Sequence, residues 1–110
     1  MSSNALNCRL KLLGILGSVL DDSNNLVYVN SITSPYVILP YGIHGLIKTG
    51  FSGLPLEVLK FNKDLVEFEL TSLSNCNNLR EIYIYSSQIS LIKGLSKLYP
   101  NLQVVIRKGL

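Results

Sequence analysis

A self-similar step of 22 or 23 residues runs through the last two thirds of the chain, and it constrains the fold more than any other feature. Three stretches align: YVILPYGIHGLIKTGFSGLP from Tyr36, VLKFNKDLVEFELTSLSNCNN from Val58 and EIYIYSSQISLIKGLSKLYPN from Glu81. A fourth, VVIRKGL, starts at Val104. An apolar pair opens each unit: Val37/Leu39, Leu59/Phe61, Ile82/Ile84, then Val105 with Arg107 in the partner position. The steps from Val37 to Leu59, Ile82 and Val105 are 22, 23 and 23 residues. Further columns keep phase: Ile43, Leu65 and (after one inserted residue) Ile89; Leu46, Phe68 and Ile92; Phe51, Leu73 and Leu95; Leu54, Cys76 and Leu98.

The spacing has a physical meaning. Alternation in EIYIY and VLKFN has the period of a strand, so each unit opens with one. The later apolar positions fall every three or four residues, as a turn-rich or helical return leg requires. Gly50, Gly53, Asn75, Asn77, Asn78 and Asn101 sit where that leg bends back. No single unit covers its own apolar face, so neighbours are expected to stack and their strands to form a parallel sheet.

The strand signature LxxLxL occurs as Leu56-Leu59-Phe61 and Leu79-Ile82-Ile84. The segments GFSGLPLEVLKF and SLSNCNNLREIYI resemble the BspA-type leucine-rich repeat, and ILPYGIHGLI fits its continuation; the FNIP repeat is a close second likeness. The resemblance spans about residues 36 to 107. It implies a curved scaffold that binds proteins or builds surfaces, and it brings no catalytic residues with it. The expected fold class is therefore α/β, a leucine-rich-repeat solenoid with a parallel β-sheet, short turn or helical return legs and an N-terminal cap. Residues 1–35 would be the capping segment, and 36–110 about three and a half repeats. Within the cap, Leu6, Leu10, Leu13 and Leu20 fit a helix face, whereas Leu10-Lys11-Leu12 and Val27-Tyr28-Val29 read as strands.

With 110 residues, 47% of them apolar, the chain can bury one modest core. Its ten Lys and Arg give a net charge of only +3 and form no run, which argues against a nucleic-acid stripe. Cys8 and Cys76 are too few for a disulfide scaffold and are expected to be reduced and buried. The longest apolar stretch, Leu12 to Leu20, is too short to cross a bilayer and lacks a convincing signal-peptide cleavage site. Two unpaired cysteines and no convincing signal peptide favour an intracellular location, with no membrane partner.

The usual chemistry has no footing in these residues. His44 is the only histidine and falls on a turn after the first strand. One histidine and two distant cysteines offer no metal-ligand spacing. Glu67 and Glu69 flank Phe68 as a solvated pair, and Gly42, Gly45, Gly50 and Gly53 are followed by no phosphate-loop lysine. The expectation is no catalysis, no metal and no cofactor. The outward residues of the strands remain: Tyr36, Ile38, Val58, Lys60, Glu81, Tyr83, Tyr85, Val104 and Ile106, with Pro40, Asn62 and Lys108 at the ends of the rows. That array is more apolar and aromatic than a solvated face, which marks it as a candidate protein-binding surface. The expected function is a protein–protein interaction module; the alternative is a structural component in a homo-oligomer, surface layer or virus particle. Val104, Val105 and Ile106 would form an edge strand able to pair with a second copy, with Arg107 and Lys108 as its only guards.

Overall fold

A computed structural model describes residues 2–108. Helix α1 (Ser2–Leu12) opens the chain and buries Leu6 and Leu10, one turn apart, while Arg9 and Lys11 lie in its last turn, where the helix dipole favours cations. Four short strands follow: β1 (Ile15–Leu16), β2 (Val19–Leu20), β3 (Asn25–Tyr28) and β4 (Ser31–Ile32). The remaining strands are β5 (Tyr36–Ile38), β6 (Gly45–Gly50), β7 (Val58–Lys60), β8 (Glu67–Phe68), β9 (Glu81–Tyr85) and β10 (Gln103–Arg107). Between them lie two 3-10 segments, Leu70–Leu73 and Ser86–Ile92, and a single-turn helix, α2 (Leu95–Leu98).

These strands make two four-stranded sheets and one two-stranded sheet. The first sheet is parallel throughout, in the order β10-β9-β7-β5. Its register pairs Val37 with Leu59 and Leu59 with Ile82, as the sequence step requires. Leu59, Phe61, Ile82 and Ile84 are all buried, as expected for the inward members of alternating strands. The second sheet is mixed, in the order β2-β3-β6-β8. There β3 runs parallel to β6 and antiparallel to β2.

This arrangement corrects the expected fold class. The chain is not a leucine-rich-repeat solenoid but a small α/β globule, 38 × 31 × 20 Å, with a Cα radius of gyration of 12.7 Å. Roughly 13 Å is what a compact domain of about 100 residues shows. Two findings overturn the solenoid. The return legs after β5 and β7 are not merely turns or helices, because each contributes a strand, β6 and β8, to a second sheet. Residues 25–28 enter that same sheet beside β6, and β2 pairs antiparallel to them, so the sheet is mixed in direction and completed by the N-terminal segment.

Gly45 shows how tightly that sheet is built. It pairs with both Asn25 and Glu67, and a Cβ at this position would lie 2.4 Å from Asn25 Oδ1 and 2.7 Å from Glu67 Cβ. Only glycine fits between those two strands. The two large sheets share one hydrophobic core. Phe61, just past β7, and Phe68, in β8, approach with ring centroids 5.8 Å apart, joining one sheet to the other.

Polar side chains tie successive turns together. Asn62 donates its amide to the carbonyls of Pro40 and Ile43, and Gln88 donates to those of Asn62 and Leu65. Gln88 is buried, and Ile89, the residue expected to continue the Ile43–Leu65 column, is exposed instead. The inserted residue of the third unit thus ends with a polar side chain inside, where it satisfies two carbonyls. Cys76 is buried as expected and lies 3.2 Å from the Phe51 carbonyl; Cys8 is exposed, on the solvent side of α1, which corrects the expectation of two buried thiols.

Candidate outer-face binding site

The outer face of the parallel sheet carries three residue rows, fixed by register. The first is Tyr36, Val58, Glu81 and Gln103; the second is Ile38, Lys60, Tyr83 and Val105; the third joins Tyr85 to Arg107. Tyr36, Ile38, Lys60, Glu81, Tyr83 and Tyr85 therefore share one surface, as their alternation implies. Val58 belongs to the same row but is only 6% exposed, so it offers no contact area.

Val104 and Ile106 are corrected. Val104 pairs with Ile82 and Ile106 with Ile84, which puts both on the core side of the sheet and not on its outer face. Their outward places belong to Val105 and Arg107. The last step is 22 residues, from Ile82 to Val104, one shorter than the expected step to Val105. A slip of one residue moves every side chain of a strand to the other face.

Each outward tyrosine carries a cation. The Lys60 ammonium lies 4.7 Å from the centre of the Tyr83 ring, the Arg107 guanidinium 4.5 Å from Tyr85 and the Arg80 guanidinium 5.8 Å from Tyr36. A cation within about 6 Å of a ring centroid is held by the ring quadrupole. Arg80 also donates to the Tyr36 hydroxyl at 3.3 Å and to Glu57 at 3.4 Å, and stands 3.5 Å from Glu81. The hydrogen bonds to Tyr36 and Glu57 hold its guanidinium above the usual arginine range. Arg107 reaches past Tyr85 and donates to the Phe61 carbonyl.

The two ends of the face differ in charge. At the end where the strands begin, Arg80 is set among Glu57 and Glu81. Where they finish, Lys60, Lys63 and Arg107 outnumber Asp64. An open groove of about 570 Å³ lies at this second end, lined by Ile38, Tyr41, Phe61, Lys63, Tyr85 and Arg107, among others. The Arg107 Nε is buried and has no hydrogen-bond partner among the described residues. A buried donor left in that condition costs free energy.

Arg80, Arg107, Val105, Tyr41 and Lys63 were not among the expected site residues. Arg80 could have been found from its place directly before an outward glutamate; Arg107 was hidden by the one-residue slip.

Elsewhere the surface offers less. His44 is half-exposed between β5 and β6, its Nε2 3.4 Å from a Glu67 carboxylate oxygen. Glu69 is not a free acid either, since its carboxylate accepts the Lys48 N–H at 2.6 Å. Among the described residues no group of three or more His, Cys, Asp or Glu is placed to hold a metal ion, and no helix is long and apolar enough to cross a membrane. No protein-family model, curated protein or solved structure matches the chain.

Proposed function

We propose that the chain is a protein-binding module whose contact surface is the outer face of the parallel sheet, and that it does no catalysis. One observation carries this reading: three tyrosines, each with a cation over its ring, stand on one face of the parallel sheet, Tyr83 and Tyr85 on β9 and Tyr36 two strands away on β5. Tyrosine and arginine are the residues that most often dominate binding energy at protein interfaces. On a strand they are already ordered, so little side-chain entropy is lost on contact. The likeness to BspA-type repeats belongs to this reading only for the recurring residues, not for the overall shape.

The charge distribution indicates what kind of segment would bind. Lys60, Lys63 and Arg107 outnumber Asp64 at the finishing end and suit a carboxylate. Ile38, Tyr41 and Tyr85 beside them suit an apolar neighbour. The partner is then an extended acidic segment with an apolar residue next to the acid. Selection from a displayed random-peptide library tests it. Enriched peptides should pair Asp or Glu with an apolar residue, and a folded Tyr83→Ala, Tyr85→Ala variant should not retain them. Equal retention by that variant, or enrichment without acids, would remove this face from consideration.

A further inference from the structure

Among the described residues the parallel sheet has β10 as its last strand, and the core side of that strand is open. Val104 and Ile106 continue the columns of Ile82 and Ile84, yet they are 41% and 50% exposed. Val104 shares an apolar groove with Ile89, Ile92 and Leu95. Among the described residues no strand pairs with the free edge of β10. Among the described residues, half of the backbone groups of β10 are left to solvent. Gln103 turns its N–H to the Arg80 carbonyl on the β9 side. Successive residues of a strand alternate the direction of their peptide groups, so Val105 and Arg107 also face β9, and Val104 and Ile106 face the open edge.

We infer that this edge is a self-association surface, in which β10 pairs antiparallel with β10 of a second copy about a two-fold axis at Val105. Three features of the strand choose that partner and register. Centring on Val105 sets Val104 against the partner's Ile106 and Ile106 against the partner's Val104, and these are the residues whose N–H and C=O groups are free. It places apolar side chains against apolar ones on the core side, closing both open cores at once. It sets Arg107 across from the partner's Gln103, so the strongest charges on the strand are not opposed to each other. The contact is isologous and closes on itself, so it stops at a dimer. An axis normal to the sheet also joins the two tyrosine-bearing faces into one continuous surface, with eight strands in place of four.

Sedimentation velocity from about 1 to 300 µM, a range chosen to bracket a modest interface, tests this. The full chain should run as a concentration-dependent dimer. Ile106→Pro removes an N–H that faces the edge and not β9, so it should leave the circular dichroism unchanged and return the protein to a monomer. A Val105→Cys, Cys8→Ser protein gives a second readout that does not depend on proline. At a two-fold centred on Val105 the two Cα atoms of a non-hydrogen-bonded pair lie about 4.5 Å apart, within disulfide reach. Diamide should then take up the two protons and two electrons of the thiol pair and leave a covalent dimer on non-reducing gels. A monomeric parent at 300 µM, a dimer that persists in folded Ile106→Pro, or no cross-link at position 105 would each overturn the proposal.

Discussion

Strands β9 and β10 lie side by side in register and carry similar side chains, but they occupy different environments. Ile82 and Ile84 of β9 are buried, whereas Val104 and Ile106, in the same two columns, are about half exposed. The difference comes from what stands on either side. β9 is flanked by β7 and β10, and the 3-10 segment Ser86–Ile92 follows it; among the described residues β10 has a neighbour on one side alone. Position within the sheet, more than residue type, decides which of these apolar residues is buried and which stays exposed.

Alanine at equivalent positions of the two strands probes that difference most strongly. Ile82→Ala should cost about 2–5 kcal/mol through lost burial and the cavity left behind, and Phe61→Ala a comparable amount. Val104→Ala should cost no more than about 1 kcal/mol in dilute, monomeric protein, because much of its side chain is already in water. Urea denaturation of the variants measures both. Similar losses at Ile82 and Val104 would mean that β10 is covered in solution even when dilute.

A smaller effect separates the outer face of β10 from its core side. Arg107 stacks on Tyr85 and donates to the Phe61 carbonyl, so it ties β10 back across β9 to the end of β7. A double-mutant cycle on Arg107→Ala and Tyr85→Leu should give a coupling of about 0.5–1 kcal/mol that weakens as salt is raised. Zero coupling at low salt would leave the tyrosines without their cations.

The smallest effect contrasts the parallel sheet with the mixed one. Asp21, in the turn between β2 and β3, accepts the N–H groups of Ser23 and Asn25 and the side-chain amide of Asn25. The backbone hydrogen bond from Asn25 leads in holding its carboxyl below the usual aspartate range. A depressed folded-state value means that the stabilisation is complete above the unfolded value and lost as pH falls through the folded one. The difference in melting temperature between the parent and Asp21→Ala should therefore be largest at neutral pH and shrink in acid. A difference that stays constant into strong acid would show that the carboxylate charge contributes nothing.

The same strands explain what the sequence revealed and what it hid. In EIYIY, apolar and outward residues alternate, so one reading puts Ile82 and Ile84 inside and Tyr83 and Tyr85 outside. Val104-Val105-Ile106 has no alternation, since three β-branched residues in a row are compatible with either face, and the register there slipped by one. The second sheet was illegible for another reason. β2 and β8 are two residues long, too short to show a period, and Gly45, Leu46 and Ile47 of β6 are all buried. A segment of that kind does not announce a strand. The solenoid expectation failed there, because nothing in GLIKTG said that the return leg would pair with residues 25–28. The cations of the outer face were missed since pairs such as Lys60 with Tyr83 are cross-strand neighbours, which exist only once the register is known.

On the proposed reading, the tyrosine-bearing face, and not the open edge, is where a different protein binds. Calorimetric titration of one selected acidic peptide into three folded proteins tests it directly: the parent, Tyr83→Ala with Tyr85→Ala, and Ile106→Pro. The tyrosine variant should lose at least about tenfold in affinity, roughly 1.4 kcal/mol, while the edge variant should stay within about twofold of the parent. Loss of the peptide by the edge variant, with full affinity kept by the tyrosine variant, would contradict it.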